Sequence, residues 1–174
     1  MKELKSEFLL PIQGLYMGMH QYEFTLNDAY FDMFTHSLVK RGSFGVILDL
    51  EKKPSMLILD FNINGSYTTS CDVCLKQIQI PVEAAERYLI KYTADDGQSE
   101  DVIYLDNDES DLDVSEFILE TIQLHLPLMN KIDCEANDYK YCDRKMLSFL
   151  DGNLDPKEVE VNDIWGELKN IKLK

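Results

Sequence analysis

Long apolar runs are missing from this 174-residue sequence, and basic residues are few. No stretch approaches the roughly 20 apolar residues of a membrane helix. The first 15 residues have neither the apolar length nor the small-residue cleavage site of a secretory signal, so we expect a cytosolic protein. Seventeen lysines and arginines stand against 32 aspartates and glutamates, a formal net charge of -15. A surface so acidic repels phosphate, which disfavours a broad nonspecific grip on nucleic acid.

Catalytic constellations are also missing. There is no glycine-rich phosphate loop, and the three histidines, His20, His36 and His125, have no nucleophile at motif spacing. The abundant acids of residues 95–113 lack the apolar pocket that raises the pKa of a general acid. They also lack the glycine and terminal glutamate of an EF-hand loop. We predict that the protein is not an enzyme and acts by binding.

What the sequence does contain is typical of a folded domain, since hydrophobic residues make up 45% of the chain. A chain of this length has the usual size of one domain. We expect a single domain over 1–174, with N-terminal strands and a helix in 1–39, a sheet and its covering helix in 40–128, and an irregular region ending in an arm in 129–174.

Alternating apolar and polar residues predict an α+β fold. The predicted architecture is a bent antiparallel meander, or a partly closed barrel, packed by two or three helices and followed by a short amphipathic arm at the C-terminus. A bend is expected near Gly65. The predicted strands are 8–15, 21–24, 44–50, 56–69, 78–82 and 87–92, and the predicted helices are 25–34, 113–126 and 145–150.

Two helix starts carry capping signals. Thr25 or Asn27 is expected to cap the first helix. Asp113 and Glu116 have the spacing of a capping box, in which the second acid reaches back to the cap. Pro127 is expected to stop that helix.

The strongest local motif is a cysteine pair, Cys71-Asp-Val-Cys74. A thioredoxin-like pair needs a helix after it, whereas the strand-like QIQIPV follows here, so a zinc knuckle is favoured over a redox site. Cys134 and Cys142 are the candidates for a second pair, although seven residues separate them. Two alternatives stay open: the four cysteines are ordinary turn and core residues, or Cys71 and Cys74 form a thiol redox pair. A disulfide framework is not expected in the cytosol.

Two segments are candidate partner surfaces. Nine acids and no base lie between Asp95 and Asp113; this stretch is either a solvated loop or a surface for a basic partner, carried by Asp106, Asp108 and Glu109. The C-terminal segment NDIWGELKNIKLK is amphipathic. Its Trp165, with Lys169 and Lys172, is either a partner anchor or docks on the domain.

The order of these features resembles the YceD-like family over roughly residues 40–172: SCDVCLKQIQIPV, an acidic stretch, SEFILETIQLHLPL, a later cysteine and a terminal NDIWGELKNIK. Cys71 and Cys74 match the family's central cysteines, Leu126-Pro127-Leu128 its leucine-proline segment, and Trp165 and Leu168 its closing residues. The second cysteine cluster departs from the tighter spacing of many members.

The resemblance implies a non-enzymatic role in accumulation or assembly of the large-subunit ribosomal RNA, in a bacterium or an organelle. The partner it implies is a large-subunit precursor or a basic ribosomal protein. A zinc-stabilised module that contacts RNA through Trp165 and the terminal lysines is the rival hypothesis.

Overall fold

The computed structural model describes residues 6–92, 103–105, 109–133, 140 and 142–150. A small antiparallel sheet joins β1 (Leu9–Leu10) to β7 (Leu112–Asp113). The main sheet has the order β2-β3-β4-β5-β6. Its strands are β2 (Gly18–Leu26), β3 (Gly42–Lys52), β4 (Met56–Ser70), β5 (Gln77–Lys91) and β6 (Ile103–Tyr104).

The predicted α+β meander is confirmed. Strands β2 to β5 pair antiparallel in sequence order, and β6 joins β5 in parallel. Within the described residues the main sheet stays open, with β2 and β6 at its edges, so the fold is not a partly closed barrel. Because β2 belongs to this sheet, the N-terminal residues share its core.

The first predicted strand, 8–15, is mostly turn, because Pro11 follows β1 directly and Pro cannot donate a ladder hydrogen bond. The side chain of Lys52 in β3 holds this turn by hydrogen bonds. Its Nζ donates to the carbonyl oxygens of Ile12 at 2.6 Å and Leu15 at 2.8 Å.

Strand β5 corrects the prediction of two separate pieces at 78–82 and 87–92. The alternation runs unbroken through the intervening residues, with Ala84 buried opposite Ile63 of β4. Alanine and glutamate favour strands only weakly, so the centre of β5 carries little local signal. Its pairing with β4 along all 15 residues determines the conformation.

Three helices are described: α1 (Asp28–Phe31), α2 (Ser115–Leu124) and α3 (Arg144–Leu150). α1 is shorter than predicted and is capped by Asn27, whose Oδ1 accepts from the Ala29 N–H at 3.0 Å. Thr25, the other predicted cap, lies in β2.

The predicted capping box of α2 does not form. The N-cap position is Val114, whose side chain makes no capping hydrogen bond. Asp113 pairs with Leu9 in the small sheet, and its Oδ1 accepts from the Ser115 N–H at 2.9 Å. Strand pairing therefore shifts the start of the helix by two residues. It ends at Leu124, three residues before Pro127.

Helix α2 covers the inner face of the sheet, as predicted. Ile118, Leu119 and Ile122 are buried. The ring of Tyr88 in β5 packs edge-on against Phe117 at 5.1 Å, and its hydroxyl lies 3.1 Å from the Thr121 hydroxyl. The core is thus closed between this helix and strands β4 and β5.

Candidate functional site

The cysteine pair occupies the tight turn between β4 and β5. The Leu75 N–H donates to the Cys71 carbonyl at 2.9 Å, and the Cys71 N–H donates to the Lys76 carbonyl at 2.8 Å. Leu75 has φ of 59°, the single non-glycine residue with positive φ in the described chain. Positive φ costs a leucine roughly 1 to 2 kcal/mol, so the turn holds a strained conformation.

The sulfur of Cys74 is surrounded by donors. Burial alone would raise the pKa of its thiol, but the backbone N–H groups of Asp143 and Lys76 and the side chain of Cys71 donate to it. Together they lower the pKa of Cys74 below its usual value. Cys71 and Cys74 are both free thiols and both buried. The turn therefore makes Cys74 easier to ionise than an ordinary buried thiol.

The C-terminal part of the described chain returns to this turn. The Asp143 N–H that donates to Cys74 precedes α3, and the two segments meet at an open cleft. Cys142 is buried at the edge of the cleft and is disulfide-bonded. The cleft is lined by residues of both segments, among them Cys74, Lys76, Cys142, Asp143, Arg144 and Met146.

The segment that follows α2 is hydrogen-bonded to the turn through Asn130 and Asp72, a contact called the clasp below. The Asp72 N–H donates to the Asn130 carbonyl at 2.8 Å, and the Asn130 N–H donates to Asp72 Oδ2 at 2.6 Å. The Tyr67 hydroxyl donates to Asn130 Oδ1 at 2.5 Å. Burial, and then the charge of Asp72, raise the pKa of Tyr67. Asn130 lies just after the Leu126-Pro127-Leu128 segment, so that segment leads directly to the turn.

The predicted metal ligands are only partly brought together. Cys71 and Cys74 share one turn, and Cys142 borders the adjoining cleft. Cys134 lies outside the described residues. Among the residues that the structure describes, no group of three or more His, Cys, Asp or Glu is placed to hold a metal ion. The described cysteines thus supply one thiol pair, and the four-cysteine site stays a prediction.

Of the predicted partner residues only Glu109 is described. It is exposed, and the Gln13 amide donates to its backbone oxygen at 3.5 Å. The other five lie outside the described residues: Asp106, Asp108, Trp165, Lys169 and Lys172. Sequence reasoning missed the clasp residues Asp72 and Asn130. The sequence contains little indication of either residue. Asp is a common turn residue, and only the structure shows that Asn130, 58 positions away in sequence, contacts the turn.

The site lies within the part of the chain that carries a family signature. The model of the family described as "Large ribosomal RNA subunit accumulation protein YceD" matches residues 59–172, more than half of the chain. The chain belongs to the YceD family. The YceD match begins within β4 and contains the cysteine turn, β5, α2 and α3. It leaves out β2 and β3, which complete the sheet.

No curated protein and no solved structure matches the chain. The YceD family has a role in large-subunit rRNA accumulation and is not a known enzyme family. None of the helices in the described part of the chain is both long enough and apolar enough to span a membrane.

Proposed function

We propose that this YceD protein supports large-subunit assembly by binding, through its acidic surface, a basic ribosomal protein or a precursor particle that carries one. The family match is the observation that carries this proposal, since it joins the chain to large-subunit rRNA accumulation. The net charge of -15 supports a basic protein partner over bare RNA. Asp106, Asp108 and Glu109 are the proposed acidic contacts, and Trp165 with Lys169 and Lys172 is the proposed anchor.

Affinity purification, together with depletion of the protein from cells, tests this function. Tagged full-length protein is purified at moderate salt, and the co-eluting proteins and RNA are identified. Co-elution of large-subunit precursors or of one basic ribosomal protein is expected. Absence of both from the eluate, with unchanged large-subunit rRNA in cells depleted of the protein, contradicts the proposal. Crosslinks from the Trp165 segment to rRNA would instead favour the RNA-contacting rival.

A structural zinc ion held by Cys71, Cys74, Cys134 and Cys142 is proposed as part of the same module. Its support is the turn, where backbone N–H groups stabilise a thiolate at Cys74, the ionic form that binds zinc. Zinc would clamp the β4–β5 turn to the segment that precedes α3. Binding requires Cys142 as a thiolate, so the site belongs to the reduced protein.

Metal content tests this proposal directly. The full chain, purified under reducing conditions, is expected to contain one zinc per molecule by elemental analysis. Cys74→Ser is expected to lose it, whereas Val73→Ser, which places a serine at an exposed position of the same turn, retains it. Equal zinc content in the two variants, or no zinc in the wild type, would contradict the proposed zinc site.

A thiol redox role for Cys71 and Cys74 is the second candidate, favoured by the lowered pKa of Cys74. Low thiol pKa values are typical of reactive cysteines. Against it, both thiols are buried and a strand follows them. The rate of alkylation at neutral pH tests this role. Faster modification of Cys74 in the folded, metal-free protein than in a denatured control supports redox chemistry. An equal or slower rate argues against it.

A further inference from the structure

Strand β2 is an edge strand of the main sheet and has β3 as its one neighbour there. The two strands pair one-to-one along all nine residues of β2, without a bulge. Within the described chain, no backbone hydrogen bond joins β2 to any segment outside this ladder. Alternate residues of an edge strand point their N–H and C=O groups away from the sheet. β2 therefore presents a row of unused backbone donors and acceptors.

This edge lacks the usual protection against pairing with another strand. Natural proteins protect such edges by making them short or by placing proline, lysine or a bulge there. At the opposite edge of the sheet, β6 has two residues. β2 has nine, contains no proline, lysine or arginine, and has Glu23 as its single acid. The β2 edge is thus long, regular and able to accept a further strand.

Large apolar side chains are exposed along the same edge. Tyr16, Met17 and Met19 are 74%, 57% and 60% exposed. Tyr22 and Phe24 of β2 pack against the core but are only partly buried. Aromatic residues and methionine are enriched in protein interfaces. A strand added at this edge would satisfy the backbone groups and cover these side chains together.

We propose that the β2 edges of two copies of the chain pair antiparallel and form a symmetric dimer with one continuous sheet. A two-fold axis at Tyr22 uses all nine residues of both strands. His20 then lies opposite Phe24 of the second copy, and the two Tyr22 rings face each other, which gives stabilising aromatic pairs. Gln21 lies opposite Glu23, so no like charges are opposed. β2 is thus self-complementary, as a two-fold interface requires.

The surroundings of the edge fit a second copy. An open groove of about 500 Å³, lined by residues 7–11 and 22–25, leaves room beside the aromatic rings. Each copy carries a net charge of -15, so long-range repulsion opposes the pairing and salt screens that repulsion. The dimer is therefore expected to tighten as salt rises. This inference goes beyond the proposed function and does not rest on it.

Sedimentation equilibrium of the full chain tests the dimer. At high concentration the mass is expected to be twice the 20.2 kDa of one chain. Gln21→Glu, which opposes two acids across the interface, is expected to raise the dissociation constant about fivefold, and Gln21→Lys to lower it by a similar factor. Asn62→Glu and Asn62→Lys make the same charge changes at an exposed position of β4. These controls are expected to change the constant by less than about twofold.

A wild-type protein that stays monomeric at every concentration overturns the dimer, and so does an equal response to charge at positions 21 and 62. Binding of an unrelated extended peptide to such a monomer would assign the edge to another protein instead. Circular dichroism confirms that each variant is folded.

Disulfide trapping tests the register. Directly opposed residues of paired strands lie about 4.5 to 5.5 Å apart, within the range of a disulfide. Tyr22→Cys, on the two-fold axis, is therefore expected to give a covalent dimer under mild oxidation, with the link located by mass spectrometry. Thr25→Cys is the control, because it lies opposite Met19 and roughly 20 Å from its own counterpart. Equal linking at both positions, or at neither, overturns the pairing.

Discussion

Asp72 and Asn130 exchange two hydrogen bonds across 58 positions of sequence, with each backbone N–H donating to an oxygen of the other residue. One of these bonds has a carboxylate acceptor, Asp72 Oδ2, and such bonds are stronger than neutral ones. The cysteine turn is therefore held in place by the segment that follows α2, and not only by its own backbone hydrogen bonds.

Removing this carboxylate is expected to destabilise the protein. Asp72→Ala leaves the Asn130 N–H without its charged acceptor, and because Asp72 is exposed and water can take its place, the free energy of unfolding is expected to fall by about 0.5 to 1.5 kcal/mol. Urea unfolding measures the change. Asp32→Ala, at an exposed position beside α1, is expected to change stability by less than about 0.5 kcal/mol. Equal effects of the two substitutions would show that the clasp contributes nothing.

Gly65 is expected to be intolerant of any side chain. A Cβ added there would lie 2.3 Å from the Ser43 carbonyl oxygen and 2.5 Å from the Phe44 ring. Gly65→Ala should therefore destabilise the sheet by about 1 to 3 kcal/mol. Gly45→Ala is the matched control on the neighbouring strand, because its Cβ would meet nothing closer than 3.9 Å. Thermal unfolding compares the two, and similar melting temperatures would contradict the close packing.

Tyr30 is expected to make stability fall at alkaline pH. Burial, followed by the charge of Asp113, raises the pKa of its hydroxyl, which donates to the Ser115 carbonyl at 2.6 Å. An unfolded tyrosine ionises near pH 10, whereas the folded one keeps its proton. Above about pH 10 the unfolded chain thus binds fewer protons, and the free energy of unfolding decreases as pH rises.

Tyr30→Phe is the variant that isolates this effect. It is expected to lose about 1 kcal/mol at neutral pH with the buried hydrogen bond, and to show a shallower decline above pH 10. Tyr16→Phe, at a position that is 74% exposed, should follow the wild-type curve. Urea titrations between pH 7 and 11 give both quantities, and parallel curves for all three proteins would refute the assignment.

Helix α2 is expected to be essential to the core. Ile122 is fully buried, whereas Leu124, two residues later, is 65% exposed. Ile122→Ala should cost about 2 to 5 kcal/mol, since it removes buried methyl groups and leaves a cavity. Leu124→Ala should cost less than about 1 kcal/mol. Chemical unfolding distinguishes them, and comparable losses would mean that α2 does not close the core as described.

Much of this fold could be predicted from the sequence because alternation in β3 and β4 is regular. Leu57, Leu59, Phe61 and Ile63 are buried on one face as the pattern indicates. The middle of β5 and the start of α2 could not be located, because long-range pairing decides both. Ala84 is in a strand since it lies opposite Ile63, and Asp113 is outside the helix since it pairs with Leu9.

The candidate site was predictable only as a motif. The spacing of Cys71 and Cys74 indicates a turn with two converging sulfurs, and the structure places both there. The N–H of Asp143 and the Asn130 backbone reach that turn from segments nearly 60 or more positions away. Backbone donors leave no trace in side-chain patterns, so no reading of local sequence finds them.

The β4–β5 hairpin extends past the rest of the sheet, because β3 pairs with β4 only as far as Tyr67. After the Thr68 N–H, which donates to the Arg41 carbonyl at 2.9 Å, residues 69–70 and 77–78 form a two-stranded tip that carries the cysteine turn. Two strands alone are marginally stable, so the tip is expected to open locally without global unfolding. Hydrogen exchange at its amides would report release of the clasp, while exchange in the centre of β3 would report the stability of the whole domain.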